Sequence, residues 1–184
     1  FHTWMFRRAP GFFDVVCYTG DGDFSTRAIN HNLGQEPELL IVKARSTAGY
    51  GWYVYSPYLN GGTNPEQWWM ELNTSNPNYD SSSYWADTRA TDSVFYLGGG
   101  QITNASSVTY VAYLFGSVDG VSKVGSYTGN GSSQTIDCGF STGARFVLIK
   151  GTSLSSNWVV FDTERGITVN NDPVLYLNST IAEF

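Results

Sequence analysis

The chain repeats itself, and this constrains its fold more than any other feature. Tyr18-Thr19-Gly20-Asp21-Gly22 recurs as Tyr127-Thr128-Gly129-Asn130-Gly131 after 109 residues, and Leu39-Leu40-Ile41-Val42-Lys43 as Phe146-Val147-Leu148-Ile149-Lys150 after 107. Trp52-Tyr53-Val54-Tyr55 returns as Trp158-Val159-Val160-Phe161 after 106, and Leu72-Asn73-Thr74 as Leu177-Asn178-Ser179 after 105. The order is kept, and the offset falls only across stretches rich in Gly, Ser, Asn and Pro, where a loop shortens at small entropic cost. His2-Thr3-Trp4-Met5-Phe6 also aligns with Val111-Ala112-Tyr113-Leu114-Phe115, again at 109. A unit of about 105 residues is one ordinary domain by size.

The local pattern is that of short strands. Val108 to Phe115 is β-branched and aromatic, as strands prefer. Leu39 to Val42 and Phe146 to Ile149 are unbroken apolar runs, which suit strands covered on both faces. Trp158 to Phe161, Val94 to Leu97 and Val174 to Leu177 complete the set. Val124 to Tyr127 and Gln134 to Cys138 flank Asn130-Gly131, a strong hairpin signal; Asp21-Gly22 takes that place in the first copy. Gly98-Gly99-Gly100 reads as a loop that joins two strands and opens no helix. The expected fold is all-β: two tandem antiparallel β-sandwich-like units, the second incomplete. Residues 1–10 are the first strand of unit one or the closing strand of a preceding unit, 11–118 are unit one, and 119–184 are a truncated unit two. The chain is expected to continue past Phe184, or another chain supplies the missing edge.

Composition narrows the function. Aromatic residues are 16% of the 184 and charged residues only 14%, a balance that fills a core and does not disorder a chain. The net charge of −6 argues against a nucleic-acid groove, which needs a basic face. No apolar run approaches the ~18 residues of a membrane-spanning helix. Cys17 and Cys138 stand at non-equivalent points of the repeat and read as two free, buried thiols. With only His2 and His31 beside them, they make no zinc site. Asp21-Gly22-Asp23 lacks the spaced acid of a calcium loop and reads as a tight turn. Asn73, Asn104, Asn130 and Asn178 open N-glycosylation sequons, which arise easily in so Ser/Thr/Asn-rich a chain. Arg7-Arg8 reads as an edge-strand charge that blocks stray pairing.

The aromatic-rich middle of unit one carries the binding candidates. Strand neighbours point to opposite faces, so Trp52 and Val54 face away from Tyr53 and Tyr55, and one set is expected outward. Exposed Tyr and Trp stack on sugar rings, and the loops from Ser56 to Gln67 and from Asn73 to Ser83 are long for hairpin connections. The candidate glycan-binding residues are Tyr50, Trp52, Trp68, Trp69, Tyr79 and Trp85. The alternative use of these rings is core and subunit packing. Glycoside hydrolysis would need a carboxylate pair from among Glu36, Glu38, Glu66, Glu71, Asp80, Asp87 and Asp92, but none sits in a catalytic motif. No catalytic residue and no cofactor is expected.

Trp4-Met5-Phe6-Arg7-Arg8-Ala9-Pro10-Gly11-Phe12-Phe13-Asp14-Val15-Val16 resembles a stretch of large structural proteins of marine tailed bacteriophages. So does Val124-Gly125-Ser126-Tyr127-Thr128-Gly129-Asn130-Gly131, followed by Phe146-Val147-Leu148-Ile149-Lys150 and a Trp strand. Those proteins carry tandem β domains of unassigned function in tail fibres and virion appendages. The resemblance implies a virion-exterior protein, assembled in the host cytoplasm. It also implies a homotrimer. The expected partners are other virion proteins and, through the aromatic residues of unit one, a host-surface glycan. A purely structural spacer of a fibre or of a bacterial extracellular filament is the alternative expectation, and a polysaccharide-degrading enzyme is the third.

Overall fold

A computed structural model describes residues 3–99, 101–167 and 172–183. The strands are β1 (Phe13–Thr19), β2 (Arg27–Asn30), β3 (Leu39–Ala44), β4 (Trp52–Tyr55), β5 (Trp68–Glu71), β6 (Tyr79–Asp80), β7 (Val94–Leu97), β8 (Thr109–Phe115), β9 (Phe146–Ile149), β10 (Val159–Asp162) and β11 (Leu175–Tyr176). Two 3-10 turns, Leu59–Gly62 and Pro65–Gln67, and one α-helical turn, α1 (Gln101–Asn104), interrupt them. A six-stranded antiparallel sheet runs β1-β8-β3-β4-β5-β6, a two-stranded sheet pairs β2 with β7, and a three-stranded sheet runs β11-β10-β9. The fold is all-β and sandwich-like.

The centre of the large sheet, at β3 and β4, is covered on both faces. Leu40, Val42 and Ala44 of β3, with Tyr110, Ala112 and Leu114 of β8, enter a cluster closed by Ile29 of β2 and by Phe95 and Leu97 of β7. Ile41 of β3 and Val54 of β4 point the other way, into a second cluster with Leu59, Met70 and Trp158. This two-sided cover explains the unbroken apolar run of β3. It also corrects the expectation that one set of rings on β4 faces outward. Tyr53 and Tyr55 are 5% and 2% exposed, and Val54 is fully buried beside half-buried Trp52.

The cover of the second face comes from the second copy. Trp158 is 3% exposed, and its indole N–H donates to the Glu71 carbonyl at 2.8 Å. Asn78 N–H to Thr152 O and Ser156 N–H to Ser75 O bind the same two regions. By contrast β9, expected to be covered on both faces, is half-buried along its whole length.

Other expectations are also corrected. Asn130-Gly131 forms a turn, with Ser132 N–H donating to Asn130 Oδ1, but no strand flanks it between residues 124 and 138. Asp21-Gly22 likewise joins β1 to β2 without a hairpin, because β1 pairs with β8 and β2 with β7. Residues 3–8 form no strand; Ala9 makes one isolated bridge to Phe13. Arg8 is not a free edge charge, since it binds the buried Asp14 carboxylate, which also accepts Asn32 N–H at 2.7 Å. Glycines 98 and 99 lead into α1, contrary to the reading that no helix follows. Cys17 and Cys138 are free thiols, but Cys17 is exposed and Cys138 half-exposed rather than buried. Among the described residues no helix is long and apolar enough to cross a membrane.

Candidate functional site

The six candidate aromatics divide between the two faces of the large sheet. Trp52 and Trp68 pack against the Ile41–Trp158 cluster, whereas Tyr50 and Trp69 pack against the other. Strand alternation separates neighbouring Trp68 and Trp69 in this way. Trp85 is 2% exposed and donates its indole N–H to the Trp68 carbonyl at 3.1 Å. It is a core residue that pins the loop after β6 onto β5. Trp69 stacks on Tyr84 at 4.4 Å and on Tyr79 at 4.8 Å, and Tyr53 closes the group 5.6 Å from Trp69. Tyr79 is the exposed member. Burial pushes the Tyr84 phenol up to about 12, so it remains a neutral hydroxyl at any physiological pH. The Trp69 indole N–H is buried with no acceptor in hydrogen-bond geometry.

The loop that carries Tyr84 and Trp85 inward presents a different surface outward. A depression of about 440 Å³ lies between Phe24 and Thr26, Ser82, Ser83, Ala86 and Asp87 of this loop, and Gly98 and Gly99. Phe24 is 76% exposed. Ala86 and Asp87 both adopt left-handed backbone, with φ of 56° and 48°. Such strain persists only where surrounding contacts enforce it, and it concentrates at ligand sites. Here Thr88 N–H donates to Trp85 O at 3.1 Å, and Thr88 Oγ1 donates to Ala86 O at 2.8 Å. Gln67 Nε2 donates to Asp87 Oδ1 at 2.8 Å and fixes the carboxylate. The far wall is equally close-packed: a Cβ on Gly99 would lie 2.6 Å from Phe24 Cα, and one on Gly98 would meet the Ser83 carbonyl.

An exposed phenyl ring, an oriented carboxylate and the hydroxyls of Ser82 and Ser83 suit a sugar. The ring covers an apolar pyranose face while the oxygens take its hydroxyls. Asp87 stood among the sequence's acids. Phe24 is not among the sequence candidates, although a large apolar side chain within Asp21-Gly22-Asp23-Phe24-Ser25, a turn with no alternating partner, is a usable signal.

Three other acids, Glu36, Glu38 and Asp21, hold structural partners. Glu36 binds Arg89 at 2.7 Å, and Glu38 accepts from Tyr58 Oη at 2.8 Å and from Ser117 N–H at 2.6 Å. Asp21 accepts from Asp23 N–H and from Asn104 Nδ2, and pairs with Arg27. Among the described residues no group of three His, Cys, Asp or Glu side chains is placed to hold a metal ion. Of the sequon asparagines, Asn104 is 1% exposed and clamps the Asp21 turn, whereas Asn73 and Asn178 each accept a Trp backbone N–H.

Residues 8–184 match a domain family described as a domain of unknown function, DUF7483. The chain belongs to that family. No curated protein and no solved structure matches it. In this DUF7483 chain the match spans both copies of the repeat and every residue of the depression.

Proposed function

We propose that this DUF7483 chain is a structural and adhesive component of a bacteriophage virion, a tail fibre or surface appendage. It makes non-catalytic contact with a host-surface glycan through the depression beside Phe24. The observation that carries the glycan contact is the exposed Phe24 ring next to the strained, Gln67-held Asp87. Tyr79 extends the same loop region with a second exposed ring. The virion setting rests on the resemblance of residues 4–16 and 124–131 to phage structural proteins, as do the homotrimer, the contacts with other virion proteins and the location on the particle exterior. An open depression gives weak binding, with a Kd on the order of a millimolar, that many copies on one particle convert to avidity.

A second reading, a spacer with no ligand, is favoured by one observation. Trp85 and Trp158 both spend their indole N–H groups on backbone carbonyls inside the core. The aromatic wealth then serves packing.

One titration separates the readings. The protein is mixed with a panel of bacterial surface polysaccharides, and Trp fluorescence and released reducing ends are followed together. The proposal expects a saturable change without released ends, abolished by Phe24→Ala and by Asp87→Asn. Binding that survives both substitutions moves the site elsewhere. Released ends would establish an enzyme, and silence across the panel would leave the spacer.

A further inference from the structure

The two copies of the repeat pair their strands in one register. β3 meets β4 as Leu40↔Tyr55, Ile41↔Val54 and Val42↔Tyr53, and β9 meets β10 as Val147↔Phe161, Leu148↔Val160 and Ile149↔Val159. The next strand repeats the match: Tyr53↔Glu71 and Val54↔Met70 become Val159↔Tyr176 and Val160↔Leu175. The copies differ on the opposite side. In the first, β8 fills the remaining edge of β3, with Leu39↔Phe115, Leu40↔Leu114, Ile41↔Tyr113 and Val42↔Ala112. In the second, β9 ends its sheet among the described residues. An end strand offers a row of N–H and C=O groups for another strand to pair with.

The chain holds a second version of β8. Thr3-Trp4-Met5-Phe6 aligns with Ala112-Tyr113-Leu114-Phe115, and the structure lays this segment beside β9. The Trp4 ring lies 5.6 Å and the Phe6 ring 6.0 Å from the ring of Phe146. The Trp4 indole N–H donates to Asp162 Oδ2, at the end of β10, at 3.3 Å. Phe6 also meets Phe115 at 5.3 Å, so it stands where the large sheet and the small one adjoin.

We propose that Thr3–Phe6 adds to the outer edge of β9 as an antiparallel strand within the same chain, in the register Thr3↔Ile149, Trp4↔Leu148, Met5↔Val147 and Phe6↔Phe146. The sequence offset sets the register, and the ring contacts, all made to the Phe146 end of β9, independently place the segment beside that strand. The alternation agrees with it. Trp4 and Phe6 take the places of Tyr113 and Phe115, which pack on the cluster containing Ile41 and Trp158. Met5 takes the place of Leu114, which is fully buried. Met5 is now 91% exposed. In the added strand it covers half-buried Val147, Ile149 and Phe161, the counterparts of Leu40, Val42 and Tyr55. The segment thereby acts as a clasp: residues 3–6 close the open edge of the second copy by strand addition, the main-chain recognition mode that sheet edges support.

The test is a disulfide placed by register in the full chain, with Cys17→Ser and Cys138→Ser as background. Met5→Cys with Val147→Cys is oxidised and mapped by mass spectrometry. A bond within one chain is expected, with the off-register pair Met5→Cys and Ile149→Cys left reduced. A second measurement leaves the strands intact. Hydrogen exchange at the backbone amides of 146–149 should be about tenfold or more slower in the unsubstituted chain than in Trp4→Ala/Phe6→Ala, with β3 unchanged. A bond between two chains would overturn the proposal in favour of a neighbouring copy's segment. Absence of the bond, or equal exchange at β9 in both proteins, would overturn it outright.

Discussion

Trp52 and Trp158 occupy the same place in two copies of one repeat and serve different ends. The backbone around them is alike: Trp52 N–H donates to Asn73 Oδ1 at 2.7 Å, and Trp158 N–H donates to Asn178 Oδ1 at 2.8 Å. Leu72 N–H and Leu177 N–H then donate to the carbonyls of the respective tryptophans, at 2.9 and 3.0 Å. Yet Trp52 is half-buried at the edge of a core to which Trp158 is central. The first copy covers one face of its large sheet by itself, and the second uses its apolar side chains to help cover the other. Duplication preserves hydrogen-bond register, which is local. It does not preserve burial, which depends on what lies against each face.

The largest effect should come from unequal substitution of these equivalent residues. Trp158→Ala removes a fully packed ring and its N–H bond, and should cost about 3–5 kcal/mol by urea unfolding. Trp52→Ala should cost clearly less, since part of its surface is already wet. Equal losses would mean that the two tryptophans are equally enclosed and would dissolve the contrast.

Arg165→Ala ranks next. Arg165 and Asp162 form a pair at 2.7 Å, with side chains 1% and 4% exposed, and Asp162 also takes the Trp4 indole. Its counterpart by the repeat is Ser56, so the ion pair belongs to the second copy alone. Removing the cation leaves a buried carboxylate uncompensated, at about 3–5 kcal/mol. Burial alone raises the Asp162 carboxyl, but the Arg165 hydrogen bonds and charge outweigh this and hold it below 3.8. The stability it contributes is therefore present above 3.8 and fades as pH falls through the lower, folded value. In Arg165→Ala that acid-range loss should flatten.

Asn73→Ala and Asn178→Ala should cost similar, smaller amounts, about 1 kcal/mol each, because each deletes one acceptor for a backbone N–H. Matching values from matched unfolding curves would confirm that local geometry is duplicated where burial is not. A large asymmetry would mean that the surroundings of these caps also differ.

These contrasts mark how far the sequence could be read. Offsets of 107, 106 and 105 carry the pairing of β9, β10 and β11, because ladder register follows from relative positions along the chain. The central strands β3 and β8 were legible from apolar and aromatic patterning. Partner choice was not. Asp21-Gly22 and Asn130-Gly131 have hairpin chemistry but no hairpin, because β1 is held along seven residues by β8, far away in the chain. The expectation of an outward set on β4 fails for a related reason, since alternation tells that Tyr53 and Trp52 face apart but not that both sides are covered. At the depression, Asp87 was visible as an acid. Its left-handed backbone and its approach to Phe24 depend on tertiary packing that brings residues 24, 87 and 99 together.

The smallest predicted effect is confined to the first copy and depends on pH. His31 is 5% exposed, accepts Leu33 N–H at its Nδ1, and stacks near Phe95. Burial lowers its affinity for a proton below the ordinary 6.5, against the opposing pull of the Thr91 and Val94 carbonyls and of Asp14 and Asp92. The unfolded chain thus takes up a proton first as pH falls below 6.5, and folding weakens from there until the folded imidazole also titrates. The positions 107 to 109 residues further on hold Cys138, Gly139 and Phe140, so the second copy has no such group. Between pH 7 and 5, hydrogen exchange should quicken around β2 and β7, after correction for its intrinsic pH dependence, and remain unchanged at β10. His31→Gln should remove the difference. Equal quickening in both copies would show that the acid response belongs to the whole sandwich, and the contrast between an enclosed first copy and a borrowed second would lose its chemical marker.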